Sequence, residues 1–146
     1  MAKFLNNIQI NAELPVSGKV WRCIDTEGSG KWGNIDYTVV AKTASYNITT
    51  GDWGTIFTNE GATSGIRFNL PAADKSLQYT FICQSSGAGR TIQVQVAAGD
   101  TIRIGNGITS ATGYVQSSNV GETLVLGAMN SSDWVSMFVD GFPTIV

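Results

Sequence analysis

The sequence contains no histidine, only two cysteines and three prolines, and charged residues make up just 14% of it. Each shortage excludes something. Without histidine there is no imidazole general base, no Ser-His or Cys-His nucleophile pair and no His-ligated metal. The two thiols, Cys23 and Cys83, are too few for the dense disulfide framework of a small secreted domain. No secretory signal opens the chain at Met1 to Asn7, so the two thiols are expected to be free and buried. Nine basic residues against eleven acidic ones form no cationic cluster, which argues against a nucleic-acid partner. No apolar run approaches the roughly 20 residues needed to cross a bilayer as a helix. The expectation is a protein that folds where it is made, with neither nucleic acid nor membrane as partner.

What is abundant is glycine, 17 residues, with Ser, Thr and Asn at most polar positions. That composition favours strands and turns over helices. A chain of 146 residues is long enough for one real core.

Few motifs carry chemistry. Two carboxylates suffice for glycoside hydrolysis, and the candidate pairs are Asp25/Glu27 and Asp133/Asp140. Asp25 and Glu27 adjoin Gly28-Ser29-Gly30, and Asp133 follows Asn130-Ser131-Ser132, so both settings read as turns in which the side chain bonds its own backbone. Residues Gly28 to Gly33 match the letters of G-x-G-x-x-G. A dinucleotide site, however, needs a helix to follow, and Asn34 to Val40 continues as a strand. Asn47-Ile48-Thr49 and Asn130-Ser131-Ser132 fit the glycosylation pattern, which has no meaning outside a secretory pathway. Neither a catalytic residue, a metal ligand nor a cofactor site is expected, and the protein is read as a non-enzyme.

A period of two recurs from end to end, and no window of eleven residues holds a 3.6 period. The fold class is therefore all-β: an antiparallel β-sandwich or jelly roll over residues 37–146, preceded by an extended arm over 1–36. Strands are predicted at Tyr37 to Val40, Ser45 to Ile48, Thr55 to Thr58, Ile66 to Leu70, Thr101 to Ile104, Thr123 to Ala128 and Trp134 to Val139, with turn residues between them. Tyr79 to Gln84 and Thr91 to Val96, flanking Ser85 to Gly89, read as a hairpin. Thr109 to Asn119 reads as a polar stretch, and the apolar tail Phe142 to Val146 is expected to pack. In the arm, Ile8, Ile10, Ala12 and Leu14 alternate with polar residues up to Pro15. Its large apolar groups are too few to offset the entropy of ordering its backbone, so the arm is expected to need another surface.

From Tyr37 onward the chain resembles the small β-sandwich domain of tailed-phage virion proteins, found in fibres and capsid decorations. The residues that carry the resemblance are Tyr46-Asn47-Ile48-Thr49-Thr50-Gly51-Asp52-Trp53-Gly54, Phe68-Asn69-Leu70-Pro71, Gly99-Asp100-Thr101-Ile102, and Gly121-Glu122-Thr123-Leu124-Val125-Leu126 with Trp134-Val135. Val20-Trp21-Arg22-Cys23 with Glu27 to Trp32 is similar to the strand-turn-Trp element that precedes such domains. No coiled-coil shaft or triple-β repeat accompanies it, which favours a compact attachment over a fibre.

The resemblance implies a capsid decoration or cement protein, a homotrimer, located on the virion and bound to the phage major capsid protein without catalysis. Under it, Phe4, Leu5, Ile8, Ile10 and Leu14 are the expected capsid or subunit contacts, with Trp21 and Trp32 as junction anchors. The alternative is a tail-fibre or receptor-binding module in which Trp53 and Tyr114 stack on host surface glycans.

Overall fold

The computed structural model describes residues 37–87, 89–142 and 144–146, together with the backbone of two short strands, β1 (Val20–Cys23) and β2 (Gly30–Gly33). The chain divides into two units, Met1–Tyr37 and Thr38–Val146. In the first, β1 and β2 pair antiparallel with Trp21 opposite Trp32 and Arg22 opposite Lys31. The expected contact residues Phe4, Leu5, Ile8, Ile10 and Leu14, the side chains of Trp21 and Trp32, and the Asp25/Glu27 pair lie outside the described residues.

The second unit is built from β3 (Val39–Ala41), β4 (Tyr46–Asn47), β5 (Ile56–Thr58), β6 (Ile66–Asn69), β7 (Gln78–Ile82), β8 (Ile92–Gln95), β9 (Thr101–Ile104), β10 (Gly107–Ile108), β11 (Tyr114–Ser117), β12 (Thr123–Ala128), β13 (Asp133–Asp140) and β14 (Thr144–Ile145). They form a seven-stranded sheet in the order β10-β9-β13-β12-β7-β5-β3 and a five-stranded sheet in the order β14-β11-β8-β6-β4. Among the described residues there is no α-helix, only a 3-10 turn at Thr50–Asp52. This is the all-β sandwich that the period of two predicts.

The pairing is mixed where antiparallel strands were expected. From β3 to β8 the chain alternates between the sheets, so β3, β5 and β7 lie parallel in one and β4, β6 and β8 lie parallel in the other. Strand β13 also runs parallel to β9. Parallel neighbours need a long return, and here the return passes through the opposite sheet. For the same reason the expected hairpin is absent: β7 and β8 belong to different sheets. Their inward residues, Phe81 and Val94, belong to one core from opposite sheets instead of lying along a ladder.

The crossover from β7 to β8 is held by one side chain. Asn59, wholly buried, accepts hydrogen bonds from the backbone N–H of Gln84 (2.7 Å) and Ser85 (2.9 Å), and its amide donates to the Ser85 carbonyl (3.0 Å). Cys83 lies beside it, free and buried as expected, with its thiol donating to the same carbonyl at 3.4 Å. Burial raises the Cys83 pKa, which keeps the group a thiol and unreactive.

Aromatic side chains from both sheets close the core. Phe57 lies 5.2 Å from Phe68 and 5.9 Å from Phe81, ring centre to ring centre, and Phe68 lies 5.5 Å from Phe81. Offset and tilted pairs at these separations suit the ring quadrupoles. Trp134 is fully buried and packs 5.7 Å from Tyr79. The strand predicted at Trp134 to Val139 is not the last, because the tail adds β14 on the edge of β11, with Ile145 opposite Val115. Phe142 turns back into the core at φ 56°, so the tail packs within its own chain. The stretch from Thr109 to Asn119, predicted as merely polar, contains β11.

Replacing Asn59 with Ala removes the acceptor of two part-buried backbone N–H groups and one of the two donors to the Ser85 carbonyl. A loss of about 2–4 kcal/mol is expected, read as a lower urea midpoint at unchanged slope.

Candidate interaction surface

Alternation along each strand decides which side chains leave the core. In the seven-stranded sheet the registers align Val39 with Ile56, Ile56 with Thr80, Thr80 with Val125, and Val125 with Phe138. These five residues form one row across β3, β5, β7, β12 and β13. Their chain neighbours Phe57, Tyr79, Phe81, Leu124 and Leu126 are buried beneath. The row is apolar but for one threonine, and its two ends are open to solvent, Val39 at 63% and Phe138 at 56% exposure.

The Phe138 end is widened by a bulge. The register of β12 and β13 shifts between Val125 and Leu126, which leaves Met137 as the extra residue. Gly127 makes room for it: a Cβ there would lie 2.8 Å from the Met137 sulfur and 3.2 Å from the Met129 methyl. Met137, Met129 and Phe138 thus form one exposed apolar patch over the β12–β13 ladder. Methionine side chains adapt to irregular partners, which suits such a patch to contact. Sequence reasoning placed a strand here without marking these residues; the signal was the unbroken Met137-Phe138-Val139, which departs from strict alternation.

The opposite face has the contrary character. On the five-stranded sheet, Arg67 lies opposite Gln93, and Gln93 opposite Gln116. Arg67 donates through Nε (3.1 Å) and Nη2 (2.9 Å) to Gln93 Oε1, and Gln93 Nε2 donates to Gln116 Oε1 at 2.7 Å. The next row holds Asn47, Asn69, Gln95 and Tyr114, with Asn69 Nδ2 donating to Asn47 Oδ1 at 2.6 Å. Tyr114, one expected glycan contact, is half-buried here, with the Arg67 guanidinium 5.9 Å from its ring centre. Trp53, the other, is 63% exposed, with its indole N–H fixed to the Ser76 carbonyl at 2.6 Å. It lies on the loop that leaves edge strand β4 for β5 of the other sheet, whereas Tyr114 is on β11, a strand about 14 Å from β4 across the five-stranded sheet. The structure does not bring the two rings into one cleft.

Asp133 serves a turn. Asp133 and Asp140 stand at opposite ends of one eight-residue strand, roughly 23 Å apart at the usual rise, far beyond the separation of a glycosidase pair. Asp133 accepts from Asn130 Nδ2 (2.6 Å) and Thr101 Oγ1 (2.8 Å), while the Asn130 carbonyl oxygen accepts from the backbone N–H of Ser132 and Asp133. Among the described residues no group of three or more Cys, Asp or Glu side chains is placed to hold a metal ion. Compared with known proteins, the chain matches no family model and no curated protein.

Among the described residues three carboxylates are held below their ordinary pKa. Partial burial pushes Glu122 up, but hydrogen bonds from Ser117 and Asn119 and from the backbone of Asn119 and Ser118 outweigh it. At Asp52 burial is likewise overcome, by the backbone and hydroxyl of Thr49, the Tyr46 hydroxyl and the Lys42 charge. Hydrogen bonds from Asn130 and Thr101 lower Asp133. In the other direction, burial and then the Asp52 charge push Tyr79 up to about 12.

Lowered carboxylate pKa values stabilise the folded chain at pH above the unfolded values near 4, and that stabilisation is lost as pH falls through the folded ones. The raised Tyr79 pKa stabilises below pH 10, and this is lost as pH rises towards about 12. Urea midpoints should therefore fall at both extremes, and Glu122→Gln should flatten only the acid limb.

Proposed function

We propose that this chain is a non-catalytic structural component of a phage particle, of the capsid-decoration kind, which attaches to the shell and associates with copies of itself. The observation that carries the reading is the contrast between the two sheet faces. One is a hydrogen-bonded array of amides, content in water. The other bears a row that is apolar but for Thr80 and ends in the Phe138, Met137 and Met129 patch. Contiguous exposed apolar surface on a small domain marks contact with another macromolecule. Shell attachment asks for no chemistry, which agrees with a chain lacking histidine and with carboxylates engaged in turns. The likeness of its strand and turn segments to virion sandwiches supports this kind of assembly.

A receptor-binding module for surface glycans is the second reading. It draws on Trp53, whose ring is presented to solvent while its N–H is already satisfied by Ser76. A ring held in this way can stack on a sugar face without further ordering.

Purified protein is expected to rebind virions stripped of it, and the double variant Met137→Ser with Phe138→Lys should lose that binding. Both side chains are exposed, so the melting temperature should stay within about 4 °C of the parent. Unchanged rebinding by the variant would remove the attachment reading. Binding to a glycan array that is abolished by Trp53→Ala would favour the second reading instead.

A further inference from the structure

Asn106-Gly107 is the one Asn-Gly step in the chain, and it stands at the tip of a hairpin. Strands β9 and β10 pair with Gly107 opposite Ile104 and Ile108 opposite Arg103, so Gly105 and Asn106 are the two turn residues. Gly105 takes a positive φ of 54° and Asn106 does not, the pattern of a type II′ turn. Asn106 is exposed there, between two glycines. The other asparagines of the second unit have their side-chain amides engaged. Asn59 holds the crossover, Asn69 donates to Asn47, and Asn119 Nδ2 donates to Glu122 Oε1 at 2.8 Å. Asn130 donates to Asp133, and its oxygen takes the backbone N–H of Ser132 and Asp133.

We propose that Asn106 is a site of spontaneous deamidation, and that its isoaspartyl product releases the C-terminal strand β14. Glycine has no Cβ to hinder the approach of its nitrogen to the Cγ of the residue before it. In the first step Gly107 N attacks Asn106 Cγ: the N–Cγ bond forms, the Cγ–Nδ2 bond breaks, and ammonia leaves with the proton of the Gly107 amide. Water then opens the cyclic imide. Addition at Cγ gives aspartate, and addition at the main-chain carbonyl carbon gives isoaspartate, in which the chain runs through the former side chain. Water is the sole co-reactant, and nothing is oxidised or reduced. The hairpin gates the first step. Thr109 N–H donates to the Ile102 carbonyl at 2.9 Å, so two residues nearer the turn Gly107 N–H meets the Ile104 carbonyl in the same ladder. That bond must open before the nitrogen can attack. Strand β10 is two residues long at the edge of its sheet, the kind of element that opens locally at low cost.

The effect on β14 follows from what Gly107 touches. A Cβ on this glycine would stand 2.6 Å from Ile145 Cδ1, so β10 and β14, edge strands of different sheets, meet here. Ile145 pairs with Val115, and the Val146 carbonyl accepts from the N–H of Ser110 and Tyr114. An isoaspartyl link inserts one more backbone carbon, about 1.5 Å of chain, into a turn with no residue to spare. Gly107 can then no longer face Ile104, β10 leaves β9, and Ile145 loses the surface it lies on. With only two residues on β11, the tail strand does not hold alone. This inference does not depend on the attachment reading.

Peptide mapping by mass spectrometry of the full chain, aged in warm, mildly alkaline heavy-oxygen water, reads the first part. Conversion is expected first at Asn106, with one heavy oxygen taken up and isoaspartate as well as aspartate formed, and Asn106→Gln should remain unconverted at this position. Timed digestion of the folded protein with a carboxypeptidase reads the second. The isoaspartyl form should lose Val146 and Ile145 several-fold faster than the fresh chain. Asn106→Asp carries the same new charge on an unlengthened backbone, so its tail should be released at the parent rate. Circular dichroism melting of each form verifies that the sandwich is intact. Conversion at another asparagine before Asn106, no conversion at Asn106 under conditions that convert a short peptide of the same turn sequence, or equal tail release from the aged and fresh chains would overturn the inference.

Discussion

The contact among Phe57, Phe68 and Phe81 couples the two sheets, and the rest of the second unit depends on it. These rings come from β5, β6 and β7, three successive strands that alternate between sheets. Each passage of the chain from one sheet to the other therefore delivers another side chain to the same apolar centre. Burial of large aromatic area stabilises the pair of sheets as a unit, since neither would be stable with its inner face in water. The crossovers follow from this: a strand whose inward residues must meet those of its predecessor across the core cannot also lie beside it. Asn59 serves that geometry by supplying hydrogen bonds where the backbone leaves one ladder before joining the next.

With the inner faces committed, the outer faces carry what the molecule shows to others. They differ because the outward positions of β6, β8 and β11 are amide, guanidinium or phenol, whereas Val39, Ala41, Ile56 and Val125 on the other sheet are aliphatic. A hydrogen-bonded file such as Arg67, Gln93 and Gln116 gains little from leaving water, because its members would have to find replacement partners. Covering the row from Val39 to Phe138 carries no such cost. The difference between the faces thus gives the protein a direction, one side suited to contact and one to solvent. Gly127 and the bulge at Val125/Leu126 sharpen this by seating two methionines over the β12–β13 ladder.

The candidate surface was only partly legible beforehand. Val39, Ile56, Val125 and Phe138 are far apart in the chain, and nothing in their spacing says that they share a row. Trp53 and Tyr114 were singled out by residue type alone, and their separation by three strands shows the limit of that reasoning. The Asp133/Asp140 pair looked close in number, yet an extended strand converts seven steps into a long distance. β11 escaped notice because Val115 is its one large inward aliphatic residue, too weak a period to stand out among glycines, serines and threonines.

By itself the sequence determined the class of structure. Alternation at Ile92-Gln93-Val94-Gln95 and at Thr123-Leu124-Val125-Leu126 demands strands with one buried face, because a period of two places like residues on one side of a pleat. The absence of histidine removed whole families of chemistry before any fold was known. Which strands became neighbours was decided only by the tertiary structure. A period of two specifies the face that is buried but not the edge that is paired, so β7 and β8 satisfied one pattern equally well as a hairpin or as opposite walls of a core. Long-range packing of Phe57, Phe68 and Phe81 selected the second, and with it the parallel ladders and the outer row.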